Sequence, residues 1–465
     1  MRTTWAAWLA FAVLAGGCLS TPTPAPAPKA DGGQRPPLLS PAVAFLPPVQ
    51  LTGEIGGFEP SIRAGPEGIL YVAAAKVTRP NAGARLADWA WASTDGGATW
   101  AALPMGPGDA GALMPALEGD LAVDGRGRAY YADTYAGDLA LHRWSIQNGR
   151  PAWDFSRPVL PTVDALDDRP YLAAHGDGVV HLLINQGYET PQLPDPRDPA
   201  SAALAGARMW VYSSTDGGLT WGLGTGLPGE TFCGLAASRT DDRTVAAACY
   251  RGSGRGATLT VYRSGDQGVR FQPAWATNYT NGPGYLTPWP AMDAAGWSYV
   301  GWLDDRVDWS GLQDVAWAGN ATGRVLLARS ADGTRWDRLD VTPFAGRFGM
   351  LHATAGPAGV VAITFHATTD LAPNDATVWH GYALVTPDAR AARPDWHLAL
   401  LDPRPTGTGA IPPRDFFQNA VGPDGRVHVA LQHDRPVTPA EGAQGNGIPA
   451  DILYVGQARG PNLPH

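Results

Sequence analysis

Ser93-Thr94-Asp95-Gly96-Gly97-Ala98-Thr99-Trp100 returns almost unchanged as Ser214-Thr215-Asp216-Gly217-Gly218-Leu219-Thr220-Trp221. A repeated octapeptide implies a repeated structural unit. Two weaker copies follow, Ser264-Gly265-Asp266-Gln267-Gly268-Val269-Arg270-Phe271 and the shorter Ser330-Ala331-Asp332-Gly333-Thr334-Arg335-Trp336, so Ser-x-Asp-x-Gly-x-Thr-aromatic occurs twice in full and twice in weakened form. The chemistry of this pattern is that of a tight hairpin turn. The Asp carboxylate accepts from backbone amides one or two residues on, Gly takes the positive φ of the reversal, and the terminal ring packs beside the turn. Asp95, Asp216, Asp266 and Asp332 are therefore read as structural rather than as a row of catalytic or metal-binding carboxylates.

These octapeptides resemble the Asp-box, or bacterial neuraminidase repeat, of sialidases and other β-propellers. The resemblance implies that each box joins the third and fourth strands of a blade, on the face opposite the active site. It is specific for architecture and says little about activity.

A second repeat lies upstream of each box: a short strand, a turn with Gly or Asp, then a more hydrophobic strand. It starts near 60, 120, 170, 234, 290, 351 and 417, at spacings of 60, 50, 64, 56, 61 and 66 residues, the length of a four-stranded blade with one generous loop. The fold class predicted is all-β, a propeller of seven four-stranded blades, with six, the sialidase number, as the alternative. Blades two and six lack a box but keep a strand-turn-strand pattern at Leu141 to Phe155, around Asn148-Gly149, and at Tyr382 to Leu400, around Pro387-Asp388. The seventh repeat has a third strand at Ile452 to Gln457 and then stops, so its outer strand is assigned to Val43 to Leu51. That closes the ring with the N-terminal strand and removes the free edge.

Residues 1–18 have a positive start, an apolar stretch from Trp5 to Leu14 and the small-residue site Ala15-Gly16-Gly17-Cys18, which looks like a lipoprotein signal with Cys18 as the lipidated residue. An ordinary secretory signal is the alternative, because Leu14 stands one place further from Cys than is usual. Residues 19–42 carry a Pro-rich tether, 43–458 form a single propeller domain, and 459–465 are a tail. The expected location is an extracellular or periplasmic membrane face, reached through the N-terminal lipid only. Net charge is -9 and no basic run exists, which argues against nucleic acid as a partner. In an exported chain Cys233 and Cys249 are expected to form a disulfide, because they stand symmetrically about the turn Arg239 to Arg243.

If the boxes mark one face, the long second-to-third-strand loops and the entries to the inner strands mark the other, where binding surfaces are built. On that rim fall Glu59 and Arg63, Asp167-Asp168-Arg169, Asp304-Asp305-Arg306, Arg414-Asp415 and His433-Asp434-Arg435. Arg63, Arg169, Arg306, Arg414 and Arg435 could clamp a carboxylate or phosphate through bidentate bonds. The alternative is that each Asp-Arg pair ties blade to blade.

The sialidase resemblance implies an Arg-Ile-Pro in the first blade, an Arg trio, a Tyr nucleophile paired with Glu, and an early Asp acid/base. Here the first blade has Ser61-Ile62-Arg63, with Pro60 before it. The candidates for catalysis are Glu230, Asp168 and Asp305, with Tyr285 or Tyr454 as nucleophile. Trp89, Trp289, Trp302, Trp309 and Trp379 could stack on sugar rings. No metal or cofactor motif is present; Asp-rich rim loops could hold Ca²⁺, although none fits the twelve-residue calcium pattern. The reading is a monomeric exported propeller that binds an extracellular glycan or other anionic ligand. A sialidase-type glycoside hydrolase and a protein-interaction scaffold are the alternatives.

Overall fold

The computed structural model describes residues 36–463 apart from 77–87, 107–118, 136–137, 160–166, 187–208, 228–229, 231, 253–255, 285–287, 306, 310–314, 318–321, 413–416, 437 and 440–449. Seven antiparallel sheets each run their four strands in simple order. Blade one is Phe58–Ala64, Leu70–Ala75, Trp89–Ser93 and Ala101–Ala102; blade two is Gly119–Val123, Ala129–Tyr135, Asp138–Gln147 and Arg150–Pro158. Blade three is Asp167–His175, Val179–Gln186, Met209–Ser214 and Thr225–Leu227; blade four is Phe232–Ala237, Val245–Arg251, Thr258–Ser264 and Gln272–Asn278. Blade five is Trp289–Met292, Ser298–Asp304, Arg324–Ser330 and Asp337–Asp340, with an extra hairpin, Val307–Trp309 and Val315–Trp317, on its second connection. Blade six is Arg347–Ala355, Val361–Thr368, Val378–Thr386 and His397–Leu400. Blade seven is Gln418–Val421, Val427–Asp434, Ala450–Arg459 and the N-terminal Ala44–Phe45.

The first strands touch one another in sequence and blade one's touches blade seven's, so the ring closes around a channel. Second strands such as Leu70–Ala75 and Ser298–Asp304 are buried throughout their length. Blades lie against both of their faces, which is why these strands read as continuous apolar runs rather than alternating ones. The closing strand differs from expectation in one respect. It is two short pieces, Ala44–Phe45 and Val49–Gln50, both paired with Ala450–Arg459. Pro47 and Pro48 lie between them and cannot donate to the ladder. Docking also extends past the expected domain limits: Ser40 N–H bonds Leu398 O (2.8 Å), and Asn462 Nδ2 donates to Gly425 O (2.6 Å).

All four Ser-x-Asp turns join third to fourth strands. In the first, Ser93 Oγ donates to Asp95 Oδ1 (2.8 Å) and accepts from Gly97 N–H (2.8 Å). Asp95 also accepts from the Thr99 amide (2.9 Å) and hydroxyl (2.6 Å). The amides caged are thus four residues on in the full-length copies, joined at Asp216 by the Leu219 amide three on (3.0 Å), rather than one or two; the shorter copy at Asp332 uses the amides two and three on, at 2.8 Å each. These bonds hold the Asp95 carboxyl down at about 2. The second Gly has a positive φ (93° at Gly97, 81° at Gly218), and a Cβ there would run into Tyr454 or Leu141 of the preceding blade. The terminal ring packs the same way, Trp100 lying 4.9 Å from Tyr454. Blade two uses a different device, the two-residue turn Asn148-Gly149 with φ of 52° and 74°, as a type I′ hairpin requires.

Strand order fixes the faces. First-to-second and third-to-fourth turns lie on one face, the turn face. The longer connections between second and third strands, and the entries to the first strands, lie on the other, the loop face. Cys233 and Cys249 oppose each other directly across the first hairpin of blade four and form the expected disulfide.

Candidate functional site

The described residues do not form a ring of free Arg on the loop face. Arg63 lies near the turn-face end of its strand and reaches back into the channel. Its Nη2 donates to both oxygens of Asp120 (3.0 and 3.1 Å), and its Nη1 donates to Ile62 O (2.8 Å) and Gln418 Oε1. Arg435 is on the loop face, but its Nε is 2.6 Å from Asp451 of the adjoining strand, with both side chains largely covered. Asp305 is wholly buried and accepts from Arg347 Nη1 (2.5 Å), tying blade five to blade six. Burial pushes its carboxyl up to about 7, although Arg347 pulls the other way. Glu230 is likewise buried, accepting from Tyr262 (2.5 Å) and Arg251 (3.2 Å). The side chains of Asp168 and Arg169, and all of Arg306, Arg414, Asp415, Tyr285 and Cys18, lie outside the described residues; so does the Trp309 side chain.

These positions correct several expectations. Tyr454 is on the turn face, its hydroxyl donating to Gly96 O (3.1 Å) and contacting His428 Nδ1 (2.8 Å), so it packs blade seven onto the first turn and is no nucleophile. Trp289, Trp302 and Trp379 are buried and leave no face for a sugar ring. Trp89 stays partly open, stacked 5.6 Å from Trp91 with Lys76 Nζ 4.5 Å above its ring. Tyr262 does stand beside a Glu, but burial and the bond to Glu230 raise its phenol well above the ordinary value. A nucleophile needs the opposite shift.

Arg63 belongs to a network that spans the channel. Asp120, 1% exposed, accepts from Ser61 Oγ (2.7 Å), Leu172 N–H (2.9 Å) and Gln418 Nε2 (3.1 Å) as well as Arg63, so blades one, two, three and seven meet at one carboxylate. Beside it, His352 Nδ1 accepts from Asn419 N–H (3.2 Å), which leaves the proton on Nε2, and its ring lies 4.4 Å from that of Trp289. On the turn side of this network the channel opens into a cavity of about 460 Å³.

A polar cluster that sequence reasoning missed sits at the loop end of blades one and two. Tyr131 donates to Asp88 Oδ2 (2.7 Å), the Lys76 amide to Asp88 Oδ1 (3.2 Å), and His142 Nε2 lies 3.1 Å from Asp133. Gly119 makes the room, since a Cβ there would strike Tyr131. Burial, and then the charge of Asp133, hold the Asp88 carboxyl well above the carboxylate range. A buried acid that keeps its proton next to a second carboxylate can serve as a general acid. The only sequence signal was Asp88 at the foot of a long loop; Tyr131 reads as core. Among the described residues no group of three or more His, Cys, Asp or Glu could hold a metal ion.

No family model and no curated protein matches this chain. Among solved structures it is similar to a protein of unknown function from Dyadobacter fermentans, at 13% identity over 90% of this chain and 100% of that one, with a TM-score of 0.47. It is also similar to an ulvan lyase (9%, 83% and 93%, TM-score 0.44). A third is an α-L-arabinofuranosidase from Fusarium graminearum (13%, 90% and 97%, TM-score 0.40). Likeness at this level concerns chain course alone.

Proposed function

We propose that this chain is an exported, lipid-tethered, monomeric propeller of Asp-box type that binds an extracellular glycan or similar anionic ligand on its loop face without turning it over. The observation that carries this reading is the asymmetry of its connections. Every turn-face reversal of the inner hairpins is short, whereas the strands joined by the long connections 76–88, 187–208, 305–323 and 435–449 end and begin at the loop face. A rigid ring with variable loops on one face is a binding architecture. Glu230 and Asp305 are spent in ion pairs, which favours binding over catalysis. The test is a glycan panel probed with the intact protein and with a variant in which 187–208 is replaced by a short Gly-Ser link. Binding lost in that variant, with its unfolding curve unchanged, supports the reading; undiminished binding refutes it.

The Asp88, Tyr131 and Asp133 cluster favours a second reading, a glycoside hydrolase with Asp88 as the acid. Release of sugar from fluorogenic glycosides that disappears in Asp88→Asn would establish it over the first.

A further inference from the structure

The cavity at the turn-face end of the channel is absent from both readings above, since each places its ligand on the opposite face. We propose that it is a second binding site, for a small organic oxyanion, gripped by Arg239 and Arg63. The cavity exists because one layer of the inner strands is small: where blade one places Arg63, the other blades place Ala122, Ala174, Ala236, Ala291, Thr354 and Ala420. Its size falls within the range of small-molecule sites, and its walls mix apolar and polar surface in nearly equal parts.

Its positive charge comes from Arg239 and Arg63, and the one carboxylate in its lining, Asp124, is already paired with Arg128. Arg239 comes from the longest inner turn of the ring, 238–244, between Phe232–Ala237 and Val245–Arg251. The turn is fixed by its own bonds. Asp241 accepts from Ser238 Oγ (3.0 Å) and from the amides of Arg243 (2.8 Å) and Thr244 (2.6 Å), and the disulfide clamps the hairpin below. None of these bonds uses the Arg239 guanidinium, which has no ion pair among the described residues; the residue is exposed to solvent through the cavity mouth, with the channel walls standing around it. Burial and the charge of Arg63 both disfavour its protonated form, and Asp293 offsets them only in part. An anion between the two guanidiniums relieves that field.

The other titratable groups facing the cavity do not compete for it. Asp124 is held by Arg128 (2.7 Å) and Tyr130 (2.9 Å). His175 is bonded to Asp241 O (2.9 Å) and His181 (3.0 Å). His352 is kept neutral by burial and Arg63, and presents its Nε2 proton as a further donor. Carboxylate and phosphate share the chemistry these donors recognise, and the alanine walls select a compact apolar body behind it.

Isothermal titration of the intact protein with benzoate, phenyl phosphate, inorganic phosphate and uncharged benzyl alcohol separates the cases. Benzoate or phenyl phosphate should bind, benzyl alcohol should not, and the stronger of the first two identifies the head group. Arg239→Ala should weaken binding by about ten- to a hundredfold, the range for bonds to a charged group, and Arg239→Lys should restore little. Ala236→Leu, which fills the cavity without touching charge, should abolish binding. Replacing 187–208 should leave it intact, which keeps this site's failure distinct from that of the loop-face reading. No heat with either aromatic anion, or equal affinity in wild type and Arg239→Ala, overturns the proposal; so does binding of inorganic phosphate alone that survives Ala236→Leu.

Discussion

Asp120→Ala should be among the most damaging single substitutions in the ring, and should cost clearly more than Arg63→Ala. Removing the carboxylate strands Leu172 N–H and takes the counter-charge from the Arg63 guanidinium, both now bonded to Asp120 within 2.9 to 3.1 Å, while Ser61 Oγ can turn to Gln418 Oε1. Breaking a buried pair from one side costs about 3–5 kcal/mol. The Arg63 side chain retains 19% exposure to the cavity, so water partly solvates it and the lower end, about 3 kcal/mol, applies. In Arg63→Ala the carboxylate keeps Ser61, Leu172 and Gln418 as donors, so the loss should be about 1–2 kcal/mol. Asp120→Asn retains an acceptor for Leu172 N–H and should fall between. Urea unfolding followed by tryptophan fluorescence, with the double variant completing a thermodynamic cycle, reads all of these. A loss below about 1 kcal/mol in Asp120→Ala, or a larger one in Arg63→Ala, would refute the idea that this carboxylate joins the blades.

The repeated turns give a sharper contrast. Gly96 and Gly97 both have positive φ, but only at Gly97 would a Cβ meet the preceding blade; Gly96→Ala should cost about 1–2 kcal/mol and Gly97→Ala distinctly more, and equal losses would mean the turn does not dock. Serine at both Cys233 and Cys249 should cost at most about 3 kcal/mol, since the closed loop is short, and intact mass with and without reductant checks that the bridge forms. Stability should decline on acidification below about pH 6.5. Burial depresses His181 and His366 to about 3 and His428 to about 4, so below 6.5 the unfolded chain takes up protons that the folded one refuses. Asp305 works the other way: raised to about 7, it gains a folded-state proton as pH falls and loses that contribution as pH rises through 7. Asp305→Asn should therefore steepen the acid decline, and a parallel pH profile would show that Asp305 does not titrate in that window.

Architecture was legible in the sequence because it rests on local, repeated chemistry. A Ser-x-Asp-x-Gly turn closes on itself within a few residues, and a doubly covered strand announces itself by unbroken hydrophobicity. The two cysteines facing each other across a turn likewise needed only hairpin register. The site was different. Asp304-Asp305-Arg306 and His433-Asp434-Arg435 look alike as strings, yet Asp305 finds its partner in Arg347 of the next blade and Arg435 finds its own in Asp451 across a long loop. Arg63 was expected on one face and opens to the other, because Asp120 and Gln418, far away in sequence, pull it into the channel. Arg239 reads as an ordinary turn residue until the first strands gather five alanines and a threonine into one layer and leave a cavity in front of it. Backbone order depends on interactions a few residues long, whereas a side chain's charge acts through whatever the closed ring brings within a few ångströms of it.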